Sequence, residues 1–401
     1  MVVAGTRLRN DIDEIMPGVI ADRRHIHEHP ELGFQEVETS RFVAERLQAL
    51  GVEDIRTGIA KTGVTGLIRG TAPSDGPTKT VLLRADMDAL PIREENEVDY
   101  RSVADGVMHA CGHDGHTAML LGVSRLLLDQ RDRFAGTVKV LFQPAEELPP
   151  GGAKPMIEAG VLEDPKVDAA FGMHLAQEQP LGVIGVRAGA TMAAADRFIV
   201  HIKGKGGHGA RPQSTVDPIV VGAQIVVALQ TIVGREVDPT KAAVVTVGAF
   251  QGGEAFNVIP DTAELRGTVR TFDPEVRQQI AERIQALVTG IATSMRAEAT
   301  VEYRYGYPAT VNDPEMAELV RAAAAEVVGP DRVIEPPQTM GAEDMSYFLE
   351  KVPGCYYIVG SRNPDKGLVW GHHHPRFDFD EEALANGIET LVTTTLRYLA
   401  D

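Results

Sequence analysis

His109-Ala-Cys-Gly-His-Asp-Gly-His116 places three imidazoles and a thiol within eight positions. Cys111 and His113 stand two apart across a glycine. On looped or extended backbone both side chains face one point, whereas a helix turns them apart. Imidazole nitrogen and thiolate sulfur are ligands of zinc and its neighbours, and a dication keeps a thiol deprotonated. A polar loop with a buried cysteine is the plainer reading, because neither C-x-x-C nor H-E-x-x-H is present.

Working outward, apolar strands that end in chemistry flank this stretch. Thr80 to Ala85 delivers Asp86-Met-Asp88, whose alternation puts two carboxylates on one face. Thr137 to Phe142 runs into Gln143-Pro-Ala-Glu-Glu147, and Val167 to Met173 ends at His174. Ligands gathered at the carboxyl ends of strands are the usual arrangement of an α/β site. Adjacent Glu146 and Glu147 suit two jobs, one acid binding a cation and the other handling a proton. Helices are expected from Gln35 to Leu50, from Thr117 to Leu128, from Pro314 to Val328 and from Glu381 to Leu399, with strands at Val64 to Arg69 and Cys355 to Val359. An amphipathic helix is expected at the N-terminus. His25-Ile-His-Glu-His29 lacks zincin spacing and reads as hydrogen-bonding or helix-capping histidines.

The pattern changes near residue 188. Strands at 196–204, 242–250, 262–272 and 300–305 and helices at 217–234 and 274–295 follow the order β-α-β-β-α-β, a split βαβ arrangement. An inserted domain over 188–305 is expected inside a discontinuous one, 1–187 with 306–401. The greasy run Pro218 to Gly234 carries Gln224 and Gln230 and reads as a buried helix, short of a membrane span. Glycine-rich Gly204-Lys-Gly-Gly-His208-Gly lacks the phosphate-loop spacing, so a mobile loop carrying His208 is the reading.

Composition excludes some partners. A net charge of -18, from 57 acids and 39 bases, opposes nucleic acid or anionic membrane as partner. Two cysteines, Cys111 and Cys355, make no disulfide framework, and the N-terminus lacks the apolar core of an export signal, so a cytoplasmic setting is expected.

Taken in order, these motifs resemble the aminoacylase/carboxypeptidase family of co-catalytic metallopeptidases, in its branch of hippurate and auxin-conjugate hydrolases. The carriers are Arg84-Ala-Asp-Met-Asp-Ala-Leu90, His109 to His116, Phe142-Gln-Pro-Ala-Glu-Glu147, Gly172-Met-His174, Gly206-Gly-His-Gly-Ala210, Asn257-Val-Ile-Pro260, Gly341-Ala-Glu-Asp344 and His373-His-Pro375. The resemblance implies a mixed-sheet α/β metallopeptidase domain with an inserted ferredoxin-like lid and dimerisation domain. It implies two divalent ions of zinc, manganese, cobalt, nickel or iron, held by Cys111, His113, Glu147, His174 and His373, with Cys111 bridging. His372 and His374 are the alternatives to His373. Glu146 is then the proton shuttle and Asp88 the orienting aspartate. Asp86 stands where the wider family has a histidine, and His113 supplies the missing imidazole. His208, supplied across a homodimer, and Asn257 and Arg270 would meet an N-acyl amino acid, whose amide is hydrolysed. Peptide hydrolysis of the dipeptidase or carboxypeptidase type, a cysteine hydrolase using Cys111 and a non-catalytic binding protein are the rival readings.

Overall fold

A computed structural model describes residues 2–400. The chain divides into two compact units, Met1–Gly189 with Val311–Pro337 and Asp344–Asp401, and Ala190–Thr310 with Gln338–Glu343. The second unit thus begins two residues later than 188, ends five later than 305, and takes in a short return segment near 340.

The first unit is built on helices α1 (Val2–Glu28), α2 (Val37–Leu50) and α3 (His113–Asp129) and strands β1 (Glu53–Ile59), β2 (Gly63–Arg69), β3 (Thr80–Asp86), β4 (Thr137–Gln143) and β5 (Ala169–Pro180). Its eight-stranded sheet runs β1-β2-β4-β3-β5 and then Gly354–Arg362, Ile184–Gly185 and Val333–Ile334. β3 is parallel to both β4 and β5, and β5 to Gly354–Arg362, while β1, β2 and β4 pair antiparallel. Every residue of β3 is buried, and Val81-Leu-Leu83 shows no polar alternation, as expected of a strand covered on both faces, while Arg84 is buried in ion pairs with Asp86 and Asp344. Its Val81, Leu82 and Leu83 are fully buried, each stabilising the fold by roughly 1.5–3 kcal/mol. Helices α1, α3 and Glu382–Ala400 pack on one another around this core.

Two local expectations are corrected. The helix after the histidine stretch begins at His113, four residues before the expected Thr117, so His113 is helical. Gly112 makes this compatible with a shared focus, because its left-handed φ of 90° turns the chain sharply between Cys111 and His113. Strand β5 continues past His174 to Pro180, although its pairing with β3 stops at Gly172. By that register His174 stands level with Asp86, the last residue of β3, even though its own strand runs on.

The second unit has strands Ala194–Lys203, Ala243–Gly252, Thr262–Thr271 and Glu298–Arg304 and helices Pro218–Thr231 and Pro274–Ser294, in the order β-α-β-β-α-β. Its antiparallel sheet runs Ala243–Gly252, Thr262–Thr271, Ala194–Lys203, Glu298–Arg304. Asp217 and Asp273 cap the two helices through backbone N–H groups, each with proline at the first turn. The first helix is only partly buried, contrary to the sequence reading. Val221, Ile225 and Leu229 enter the core while Ile219, Val220 and Val227 face outward. With the turn that follows, Pro218–Glu236 is long and apolar enough to cross a membrane by length and composition, and a third of its 18-residue apolar window is buried.

Candidate metal centre

Five of the expected ligands converge in the first unit. One ligand atom each from Cys111, His113 and His174 lie within 4.8 Å of one another, and so do those of Cys111, Glu147 and His373. Cys111 belongs to both triads. The ligand atoms of His113, Glu146 and Glu147 form a third such group, which brings Glu146 to the same place. Cys111 Sγ stands 3.5 Å from His174 Nε2, and His373 Nε2 stands 2.9 Å from Glu147 Oε1.

Backbone partners decide which imidazoles have a lone pair to offer, because a carbonyl only accepts and an N–H only donates. His113 Nδ1 donates to the Asp88 carbonyl at 2.9 Å, and its buried Nε2 has no hydrogen-bond partner among the described residues. His174 Nδ1 donates to the Leu175 carbonyl at 2.6 Å, leaving Nε2 toward Cys111. His116 is different. Its Nε2 accepts the Leu175 N–H at 2.9 Å, so Nδ1 carries the proton given to Asp86 at 2.6 Å, and no lone pair remains. Asp86 is equally occupied, with Oδ2 taking Arg84 at 2.6 Å. Asp86, His113 and His116 lie close enough for a metal, but this hydrogen bonding makes Asp86 and His116 supports.

Asp88 orients the acids. It accepts the N–H of Glu146 on Oδ1 at 2.9 Å and that of Glu147 on Oδ2 at 3.0 Å, with His113 Nδ1 3.3 Å from Oδ1. Ala145 precedes the pair with a left-handed φ of 53°, which places two successive N–H groups on one carboxylate. Asp344 holds the loop's two ends by accepting from Gln143 at 2.7 Å and from the Ala153 N–H at 3.0 Å, and pairs with Arg84 at 2.9 Å.

The last three histidines separate cleanly. His373 adopts φ 63°, is anchored by its N–H on the Ala110 carbonyl at 2.7 Å, and is the member of the trio that joins a triad. His372 is turned inward, its Nε2 accepting the Gln177 N–H at 3.4 Å. His374 stacks on Trp370 with ring centroids 4.2 Å apart and accepts the Arg376 N–H.

Electrostatics favours a cation here. Burial pushes the Cys111 thiol well above its ordinary value, and the charges of Glu147 and Glu146 push it further. Such a thiol is no nucleophile without a cation beside it, which weighs against the cysteine hydrolase. Burial opposes charge on His113, but Asp86 and Asp88 raise it to about 10, as an excess of carboxylates would. Burial, with His116 and His372 nearby, holds His174 well below the usual range, in the neutral form that ligates. A soft sulfur, imidazoles with open Nε2 atoms and clustered carboxylates fit divalent transition metals.

The other expected residues lie in the second unit. His208 sits on a two-residue strand paired with Val258–Ile259, and its Nδ1 accepts the Ala210 N–H at 3.1 Å, leaving Nε2 as donor. Asn257 is its neighbour, its carbonyl accepting the Gly209 N–H. Half-buried Arg270 donates to the carbonyls of Met340 and Val269 and to the Thr268 hydroxyl, none of them a carboxylate.

His27 makes hydrogen bonds, as expected, buried between Asp114 at 2.9 Å and Glu94 at 3.2 Å, and sequence reasoning missed those partners and Arg23. Arg23 is wholly buried and joins Asp114 to Asp378. Neither carries a sequence signal beyond being polar on the inward face of α1.

Fold and site together define a metal-dependent amide hydrolase. The model of peptidase family M20/M25/M40 matches residues 82–397, and the chain belongs to that family. It is 44% identical to the amidohydrolase YhaA of Bacillus subtilis over 98% of this chain and 97% of that one. It is 43% identical to the N-acetyl-L-cysteine deacetylase of the same organism, over 95% and 88%. Among solved structures, the B. subtilis YXEP protein, described as a dinuclear metal-binding peptidase from the M20 family, superposes with a TM-score of 0.84 at 38% identity, covering 97% of this chain and 99% of that one.

Proposed function

We propose that this protein hydrolyses the amide bond of N-acyl amino acids, releasing a carboxylic acid and a free amino acid, with two divalent metal ions. The observation that carries the reading is Cys111 shared between two ligand triads, one completed by His113 and His174 and the other by Glu147 and His373. These five residues hold the pair, from zinc, manganese, cobalt, nickel or iron. Bound metals supply Lewis acidity and make water acidic enough to ionise near neutral pH. Glu146, buried and fixed by Asp88 through its backbone, takes the proton of the attacking water and returns it to the departing amine. A relative named as an N-acetyl-L-cysteine deacetylase supports the acyl-amino acid class.

His208 donates through Nε2 to the developing oxyanion, and Asn257 and Arg270 hold the substrate carbonyl and carboxylate. Arg270 suits that task because its present partners are neutral. The protein works as a homodimer through the second unit, with His208 of the partner subunit completing the site. Exposed Ile219, Val220 and Val227, with Phe250 on the sheet's edge strand, supply apolar surface for it. A cytoplasmic setting fits a free thiol that must stay reduced.

The test is amine release from a panel of N-acyl amino acids and dipeptides, with and without chelator. Chelator-sensitive release from acyl amino acids is expected. Preference for dipeptides would move the assignment to peptidase, and chelator-resistant release blocked by alkylation would replace it with a cysteine hydrolase.

A further inference from the structure

The segment Glu31-Leu-Gly-Phe-Gln-Glu36 carries no metal ligand, yet it touches both acid-bearing segments of the centre. On one side the Glu31 carbonyl accepts the Ala89 N–H at 2.8 Å, and Leu32 bridges to Ala89, directly after Asp88. On the other side the Glu36 carboxylate, completely buried, accepts the Ala145 N–H on Oε1 at 2.8 Å. The Thr62 hydroxyl donates to its second oxygen at 2.6 Å. Gly33 lies against the same alanine so closely that a β-carbon there would stand 3.0 Å from Ala145 Cβ.

Ala145 is the residue that must be held. Its left-handed φ of 53° aims the N–H groups of Glu146 and Glu147 at Asp88, and a non-glycine residue keeps such a conformation only where its surroundings over-determine it. Burying a carboxylate is costly, and the buried Glu36 is spent on the backbone of this one turn and on Thr62.

We propose that residues 31–36 form a brace that sets the Glu146-Glu147 pair, with Glu36 as a positioning residue and Gly33 as the close contact that makes room for the turn. The proposal rests on the metal-dependent reading above, in which Glu147 ligates and Glu146 moves the proton. Asp88 fixes the two acids from the strand side. Glu36 fixes the residue before them from the opposite segment, so the turn is gripped at consecutive positions and cannot rotate as a unit.

The test uses full-length apo-protein titrated with cobalt(II) alone and followed by its absorption spectrum, beside steady-state turnover. Glu36→Ala is expected to weaken the second cobalt equivalent about 10- to 100-fold, the range found for groups that orient ligands, and to lower kcat similarly with KM little changed. Glu36→Gln is expected to restore both within a few fold, because its amide oxygen accepts from Ala145 while its amide nitrogen donates to the Thr62 oxygen. Gly33→Ala, which leaves Glu36 intact, is expected to weaken the second equivalent as well, and it decides the matter if Glu36→Ala does not fold. Cobalt binding unchanged in Glu36→Ala, or in Gly33→Ala if it stands alone, would overturn the brace, as would Glu36→Gln as impaired as the alanine. A parent protein that binds two cobalt ions but releases no amine would refute the reaction instead, since the titration needs no turnover.

Discussion

The stretches His109–His116 and His372–His374 each crowd three imidazoles together, yet the structure treats them oppositely. In the first, all three rings are buried and two are fixed by backbone groups that determine their tautomers. In the second, the rings diverge, one inward to the Gln177 N–H, one to Glu147 and one stacked on Trp370. Histidine count says little about ligation. What separates ligand from support is whether a ring nitrogen is left without a backbone partner and faces other donors.

The largest effects should come from groups common to both halves of the centre. Cys111→Ala removes a member of both triads, and loss of both metal equivalents and of measurable turnover is expected from metal analysis and assay of the purified variant. Glu146→Gln should lower kcat about 10²- to 10⁴-fold while both metals stay bound. Full activity in that variant would remove the proton shuttle from the mechanism and leave the five ligands standing.

A smaller effect sharpens the contrast within the histidine trio. His373→Ala is expected to cost one metal equivalent, whereas His372→Ala and His374→Ala should keep both. Loss of an equivalent in His372→Ala alone would mean that its hydrogen bond from Gln177 is broken when metal binds. Smaller again, Asp86→Asn should keep every ligand but loosen His116 and the backbone beside His174, reducing metal affinity or activity about 10- to 100-fold. Isothermal titration of the apo-protein with zinc reads this directly.

The same contrast explains what was legible in the sequence. Strand β3 announced itself because both its faces are covered, so Val81-Leu-Leu83 shows no polar alternation, and helix Pro314–Val328 matched its expected ends because Asp313 and Pro314 start it and Gly329 stops it. The start of α3 was misplaced because its first turn, His113-Asp-Gly-His116, holds no large apolar residue and so carries no apolar periodicity. The helix Pro218–Thr231 is apolar all round, so its sequence cannot tell a buried helix from one with an outward apolar face. The segments that carry the proposed ligands stood out as clusters of metal-binding residue types. Arg23 and Glu36 did not, because they act through long-range hydrogen bonds and ion pairs that no local pattern encodes, and Asp344 stood out as part of a motif without its partners being legible.

His27 offers the mildest test, and a way to separate stability from chemistry. Nδ1 stands 2.9 Å from Asp114 and Nε2 3.2 Å from Glu94, and two carboxylate acceptors call for a proton on each ring nitrogen. Burial alone would push its pKa down, and the positive charge of Arg23 acts the same way. The hydrogen bonds to Asp114 and Glu94 and the charge of Asp114 outweigh both, holding it at about 9. Its other neighbours stay silent in this range, because burial drops His109 to about 3 and lifts the Tyr100 phenol to about 12. A histidine raised in the folded state contributes its full stability below its unfolded pKa of about 6.5 and loses it as pH rises through the folded value. Unfolding free energy from urea titrations should therefore fall between pH 6.5 and 9, by up to roughly 3 kcal/mol at 1.4 kcal/mol per unit. His27→Gln, which cannot be protonated, should be less stable at pH 6.5 and show a shallower slope, the remainder coming from His113, which Asp86 and Asp88 raise to about 10. A variant with the parent's slope would show that His27 is held neutral. The ion pairs that tie α1 to the residue after His113 would then rest on Arg23 alone.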